Sequence, residues 1–396
     1  MSNLPLKGIR IIAVEQYGAG PYGSMYLADM GAEVIKIENP KIGGDVSRQT
    51  GPFFLGDNDS YFFQTFNLNK KSLTLDLKSQ DGRKIFEQLV ASADAVTNNL
   101  RGDQPEKLGI TYDKLKYINP KIVCGHLSAY GRDNDRASWP GYDYLMQAEA
   151  GLMSLTGEPG QAPARFGLSM IDFMTGAVAS LGLTAALLGA HKTGQGRDVD
   201  VSLFDVALHQ LSYPATWYLN EQYVVERAPR SAHPATVPCQ LYKTKDSFIF
   251  LMAMTDKFWG VLVDLLNDDL LKGTRFAKVA GRRENRDLLT QEIDRVLCTH
   301  ATAHWLEVFK GKIPSAPVYD VPQALNNRYV HDVKMVQKVP HPHNKDMEVL
   351  ANPIKMNGKR LTGKASVEMG HNTQELLTEL GYNQQQIDEL KAAGTI

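Results

Sequence analysis

Residues 16–23 read QYGAGPYG, between the apolar run GIRIIAVE and the segment SMYLADMGAEVIKIE. Gly18, Gly20 and Gly23 fit G-x-G-x-x-G, and Glu38 closes a second strand-like run about twenty residues on, the pattern by which a turn admits a dinucleotide pyrophosphate to the backbone. Pro21 opposes that chemistry, because it removes one of the free amides a phosphate would use at a helix start. A second glycine pair, GQGR at Gly194–Arg197, follows a helix-like run and precedes a strand-like one. That is the reverse of a phosphate loop and reads as a helix C-cap and turn. His300 and His304 are spaced i, i+4 but lack the glutamate of H-E-x-x-H and a third ligand, so no metal site is expected. His341 and His343 lie in a proline-rich bend, PHPHNKD. No G-x-S-x-G recommends a serine nucleophile. Asp172, in FGLSMIDFMTG, stands where a long apolar helix begins and suits an N-cap.

The elements that must position these residues follow from periodicity. The first two hundred residues alternate β-branched runs with amphipathic segments, the pattern of a doubly wound α/β domain. Strands are expected at Ile9–Val14, Glu33–Ile37, Leu73–Leu77, Ala95–Thr97, Ile122–His126 and Val199–Leu203. Helices are expected near Pro21–Met30, Gly82–Ser92, Tyr112–Ile118, Tyr142–Met153 and Asp172–His191, followed by one long helix at Phe204–Glu221. From residue 227 to 316 the character changes to a smaller α+β domain with a hairpin, Gln240–Thr244 and Phe248–Met252. Three helices follow it there, at Lys257–Leu266, Glu284–Cys298 and Ala303–Lys310. Residues 1–226 and 317–396 form the large domain, which ends in a helix pair near Asn372–Leu380 and Gln384–Ala393, divided at Gly381.

Bulk composition narrows the partners. With 396 residues, 43% hydrophobic and 22% charged, the chain has the make-up of a globular enzyme of two domains. A net charge of −1 provides no basic field for nucleic acid or an anionic membrane surface. Cys124, Cys239 and Cys298 are odd in number, with no C-x-x-C, which suits a reducing cytoplasm. The N-terminus MSNLPLKGIR has no signal-peptide h-region, and the apolar stretch Gly176–Ala190 is short and broken by glycine, so a cytoplasmic protein without a membrane span is expected.

Eight segments in register carry a resemblance along almost the whole chain. They are LKGIRIIAVEQYGAGPYGSMYLADMGAEVIKIENP, GGDVSR, NLNKKSLTLDLKS, NNLRGDQPEKLGITYDKL, SAYGR, GYDYLMQAEAG with LMSLTGEP, HKTGQGRDVDVSLFDVAL and MGHNTQELLTELGYNQQQIDEL. In these the sequence resembles the class III CoA-transferases, the CaiB/BaiF type that includes formyl-CoA transferases. The resemblance implies a Rossmann-like large domain, a smaller domain and an interlaced, ring-like homodimer. It also implies CoA and acyl-CoA as substrates, a carboxylic acid as partner, and no permanently bound cofactor.

By the same resemblance Asp172 is the nucleophile, a carboxylate that attacks a thioester carbonyl and passes through an anhydride and an enzyme–CoA thioester. CoA contacts map onto Gly18, Ala19, Leu75, Lys78, Asn99, Leu100, Arg101 and Lys107. Arg101 and Lys107 would hold phosphates, and Leu75 and Leu100 would border adenine or pantetheine. Tyr142 and Asp143 would line the site, with Asp143 orienting the acyl or pantetheine portion. Two positions depart from the family pattern: Gly18 stands where some members have glutamine, and Asn39 where an arginine often follows. Racemases of the same family carry a histidine in the block that here reads Gly141–Tyr142–Asp143, so Tyr142 favours acyl transfer over α-proton exchange. Arg165, Arg230 and His233 are the candidates for the acceptor acid, with small dicarboxylates such as succinate first and oxalate, formate or carnitine-type acids also open. An α-methylacyl-CoA racemase, a nicotinamide oxidoreductase and a CoA-binding protein without turnover are the alternative readings.

Overall fold

The computed structural model describes residues 4–396 and divides into two compact units. The larger runs to Ala150 and takes in Gly167–Gln210 and Tyr329–Ile396; the smaller holds Gly151–Phe166 and Leu211–Arg328. The smaller unit therefore begins at 211 rather than 227, ends at 328 rather than 316, and includes residues 151–166.

In the larger unit the chain runs β1 (Arg10–Val14), α1 (Ala19–Asp29), β2 (Glu33–Glu38), α2 (Tyr61–Asn67), β3 (Lys71–Thr74) and α3 (Gln80–Ala91). It continues through β4 (Ala95–Asn98), α4 (Gln104–Lys107), α5 (Tyr112–Leu115), β5 (Val123–Ser128), α6 (Asp143–Glu149), α7 (Met170–Thr193), β6 (Arg197–Ser202) and α8 (Leu203–Gln210). The six strands form one parallel sheet in the order β3-β2-β1-β4-β5-β6. This order is doubly wound, and the direction of winding reverses between β1 and β4. The central strands are covered on both faces, which is why β1 reads as a nearly continuous apolar run, RIIAV. Alternate residues of β1 face opposite cores: Ile12 joins Ile35, Leu73, Phe86 and Leu89 on one side. Ile11 and Ala13 join Val34, Leu27, Leu183 and Leu187 on the other.

The helix expected at Asp172–His191 is α7, whose 24 residues, with a window of mean hydropathy 1.6, would suffice by length and composition to cross a membrane. Here Leu183, Leu187 and Ala190 are packed into the core beneath α1 and the sheet. The strand expected at Leu73–Leu77 ends at Thr74: Leu75 N–H makes a last bond to Glu38 O of β2, and Asp76 N–H turns to Thr395 O.

In the smaller unit, α9 (Ser212–Glu221) precedes the antiparallel strands β7 (Cys239–Lys243) and β8 (Phe248–Met252). The helices α10 (Asp256–Leu266), α11 (Val279–Glu284), α12 (Arg286–Leu297) and α13 (Thr302–Phe309) follow, and β9 (Ser315–Pro317) returns beside β8. Their core gathers Trp259, Leu262, Ile293, Trp305 and Phe309. The single helix expected over Phe204–Glu221 is two, because Pro214 in the first turn of α9 disfavours helical geometry just upstream and Ser212 takes φ 49°. The helix expected at Glu284–Cys298 is α12, Arg286–Leu297; the short α11 ends just before it, at Asn285 with φ −111°.

Candidate active site

In a doubly wound sheet a ligand crevice opens where the winding reverses, here beyond the carboxyl ends of β1 and β4. The two loops at that point are tied to each other. Gln16 N–H donates to Asn99 Oδ1 at 2.9 Å, and Asn99 Nδ2 returns a bond to Gln16 O at 2.7 Å. Tyr17 has φ 70°, a left-handed conformation that is costly for an aromatic residue and must be held from outside. The holder is Asp45, whose Oδ1 accepts from Tyr17 N–H at 3.0 Å and from Ser47 N–H at 2.8 Å. Asp45 Oδ2 pairs with the buried Lys36 Nζ at 2.7 Å, so both charges are compensated and the carboxyl titrates lower than usual despite its burial. Lys70, fully buried and held down to about 8 chiefly by that burial, donates to Glu15 Oε1, Pro21 O and Asn67 Oδ1.

The glycines of the opening turn serve close approach between protein segments. A Cβ on Gly23 would lie 2.6 Å from Gly176 O, and one on Gly176 would lie 2.5 Å from Ala19 O, so α1 and α7 touch backbone to backbone. A Cβ on Gly20 would meet the Asn99 side chain at 2.9 Å. A Cβ on Gly18 would stand 3.2 Å from Asp172 Oδ2, so this turn borders the candidate nucleophile. Glu38 is unavailable as a ribose ligand. It is buried and bonded by Arg48 Nε at 2.8 Å, Arg48 Nη2 at 2.7 Å and Ser72 Oγ at 2.6 Å.

Asp172 lies in the first turn of α7 but does not cap it; Ser169 is the N-cap residue and gives no side-chain bond. The cap comes from α6. Asp143 Oδ2 accepts from Ile171 N–H at 2.6 Å and Asp172 N–H at 3.0 Å, while Asp143 Oδ1 accepts from Gln147 Nε2 at 2.5 Å. Asp143 is 3% exposed and is committed to these bonds, so the structure gives it the helix start in place of the expected substrate contact. Asp172 is 9% exposed, and burial, with the Asp143 charge added, pushes its carboxyl up to about 7.

Two cavities meet at Asp172. The smaller, about 430 Å³, is lined by Gly18, Ala19, Asn99, Leu100, Arg101 and Tyr142 together with Asp172. The larger, about 810 Å³, shares Tyr17, Gly18 and Asp172 with the first. Of the other expected CoA contacts, Arg101 and Lys107 flank one carboxylate, Asp103, at 3.4 and 2.5 Å, and both are half or more exposed. Lys78 is exposed on the loop after β3. Leu75 is 1% exposed, packed among core residues with Ile12 and Leu376, and so is not presented on a cavity wall. Asn39 Oδ1 accepts from Lys41 N–H at 3.0 Å, and Lys41 Nζ pairs with Asp76 at 2.7 Å. The larger cavity, the Asp45 tether and the Asp143 cap all escaped sequence reasoning. Only the aspartate in GGDVSR gave a signal.

Arg165, Arg230 and His233 belong to the smaller unit. Arg165 Nη1 donates to Phe166 O at 2.9 Å. Arg230 pairs with Asp294 at 2.6 Å, and its N–H bonds Glu158 at 2.9 Å. His233 Nδ1 accepts from the N–H groups of Ala235 and Thr236, each at 3.1 Å, and burial with the nearby Arg286 charge holds the ring below its usual range. Its imidazole is therefore neutral near pH 7, with the proton on Nε2.

The sequence profile of CoA-transferase family III matches residues 6–367. The chain belongs to this family. This family III CoA-transferase is 30% identical over 396 residues to the succinyl-CoA:glutarate CoA-transferase of Mus musculus, covering 99% of this chain and 90% of that one. It is 31% identical to the acetyl-CoA:oxalate CoA-transferase of Acetobacter aceti, covering 89% and 90%. Among solved structures, a CaiB/BaiF family protein from Brucella suis superposes with TM-score 0.83 at 29% identity, over 96% of this chain and 100% of that one. The fold class, the family and the general activity, transfer of CoA from an acyl-CoA to a carboxylic acid, thus agree with the expectation from sequence. CoA is a substrate of this enzyme.

Proposed function

We propose that Asp172 is the nucleophile of a double-displacement CoA transfer. The observation that carries this reading is the position of its carboxylate, beside Gly18, where the two cavities meet. Ionised Asp172 attacks the thioester carbonyl of the acyl-CoA, the C–S bond breaks, and CoA leaves as thiolate from an aspartyl–acyl anhydride. The thiolate then attacks the Asp172 carbonyl carbon and expels the donor acid, leaving an enzyme–CoA thioester. The acceptor carboxylate attacks that thioester to form a second anhydride and free thiolate. Thiolate attack on the acceptor carbonyl releases the new acyl-CoA and regenerates Asp172. No water is consumed, so the site must exclude it while an anhydride stands.

The cavity of about 430 Å³ suits CoA: Gly18 and Ala19 form one wall, Asn99 and Leu100 another, and Arg101 is the cation within it. Lys107 and Lys78 would add charge at its approaches. Tyr142 would border the thioester, and Asp143 would hold the amides of α7 in place. No histidine lines either cavity among the described residues, which speaks against two-base α-proton exchange of the racemase type. A homodimer and a cytoplasmic setting complete this reading.

For the acceptor, the names of the mouse and Acetobacter relatives give small dicarboxylates. Under that reading Arg165, Arg230 and His233, all of the smaller unit, are the candidates for binding a distal carboxylate. The test is incubation with an acyl-CoA and hydroxylamine followed by mass spectrometry. A hydroxamate on Asp172 is expected; an unmodified Asp172 with activity retained in Asp172→Ala would overturn the mechanism.

A further inference from the structure

The larger cavity bears on which acid the enzyme takes. Its volume of about 810 Å³ exceeds what a carboxylate or a C4–C5 chain needs and falls in the range of sites for drug-sized ligands. An unbroken aromatic wall leads away from Asp172. Phe173 stands 4.9 Å from Tyr22 and 5.7 Å from Phe66, Phe66 stands 5.1 Å from Phe62, and Phe62 stands 5.1 Å from Tyr17. Tyr22 and Tyr26 continue the wall and satisfy each other's hydroxyls at 2.9 Å.

Among the described residues, no lysine or arginine lines this cavity. Its charged side chains besides Asp172 are Asp29 and Glu348, both acids. Asp29 accepts from Asn69 and Asn352 at 2.6 and 2.8 Å, and Gln64 is engaged with Asp59 and Ser366. A second carboxylate brought here would lose its water, meet like charge and find no cation. A buried charge tolerates that poorly, whereas an apolar or aryl tail is stabilised by the same wall.

Building on Asp172 as the nucleophile, we propose that the acid delivered to it is a monocarboxylate with an aryl or bulky apolar tail seated in the aromatic cavity, not a small dicarboxylate. The carboxylate end would meet Asp172 at the shared mouth, and CoA would approach through the other cavity. Gly18 helps, since a longer side chain there would stand between the two chambers.

The test is a comparison of kcat/KM for 3-phenylpropionate, octanoate and glutarate as acceptors of CoA from acetyl-CoA. A preference of about tenfold or more for 3-phenylpropionate or octanoate over glutarate is expected, because only glutarate carries a second charge and no cation lines this wall among the described residues. Glutarate equal to or better than both would overturn the proposal. The variant Phe62→Arg, checked for folding by circular dichroism, places a cation in the wall and should shift the ratio toward glutarate by about tenfold. An unchanged ratio in the folded variant would also overturn it. Absence of an Asp172 hydroxamate from acetyl-CoA would instead strike the nucleophile reading, so the two failures are distinguishable.

Discussion

Asp143 and Asp172 are both buried aspartates at helix starts, and their surroundings assign them opposite work. Asp143 receives two backbone N–H groups and an amide, so its charge is spent on holding the start of α7. Asp172, in the first turn of that same helix, is buried beside Asp143 and is pushed up to about 7. Burial alone does not separate a structural carboxylate from a reactive one. The difference lies in the donors supplied to each.

The comparison breaks most visibly at Asp172. Asp172→Ala should lower kcat by about 10³-fold or more, with little loss of fold, as expected when a nucleophile is removed. Asp143→Ala should cost about 1 kcal/mol of stability through the lost cap, read as a lower midpoint in urea unfolding, and lower kcat by about tenfold or more. Asp143→Asn keeps an acceptor for the α7 amides but removes the charge. It should fold normally and move the acidic limb of the kcat/KM profile below the wild-type midpoint near pH 7.

The same raised value has a stability consequence. Folded Asp172 holds its proton up to about pH 7, against an ordinary value of 3.8. The stability this lends is complete below the ordinary value and lost as pH rises through the folded one. Asp172→Asn should therefore gain thermal stability over wild type above pH 7 and lose that advantage near pH 4, as melting curves across pH would show. The smallest effects are expected at the approaches to the CoA cavity. Arg101→Ala should raise KM for acyl-CoA by about tenfold, and Lys107→Ala by less, because Arg101 lines the cavity whereas Lys107 lies outside its lining, more exposed and closer to Asp103. Equal effects would show that Asp103 does not divide the two cations as the geometry suggests.

Features set by local pattern were legible from sequence. All six strands of the large sheet were read to within a few residues, the central ones from apolar runs such as RIIAV and the others from alternating β-branched residues, as in RDVDVS. The opening turn and Asp172 were visible. Asp143 was singled out, but its bonds to the α7 amides were not foreseen, because a cap supplied from another helix leaves no mark at fixed spacing from Asp172. Leu75 was read inside a strand and given to CoA by the resemblance, yet the strand ends just before it and its side chain is buried in the core. The aromatic cavity was invisible for a similar reason. Its wall draws on α1, α2 and α7, with the segment near Met335–Gly363 opposite, and only tertiary packing brings these together.

The most direct test of the central claim is isotopic. In the double displacement, each turnover moves one oxygen of the acceptor carboxylate into the Asp172 carboxylate. Enzyme turned over with an acceptor acid labelled with oxygen-18 in its carboxylate should carry the label in the peptide containing Asp172 and nowhere else. Label absent from Asp172, or found on Asp143, in an enzyme that has transferred CoA would contradict the account.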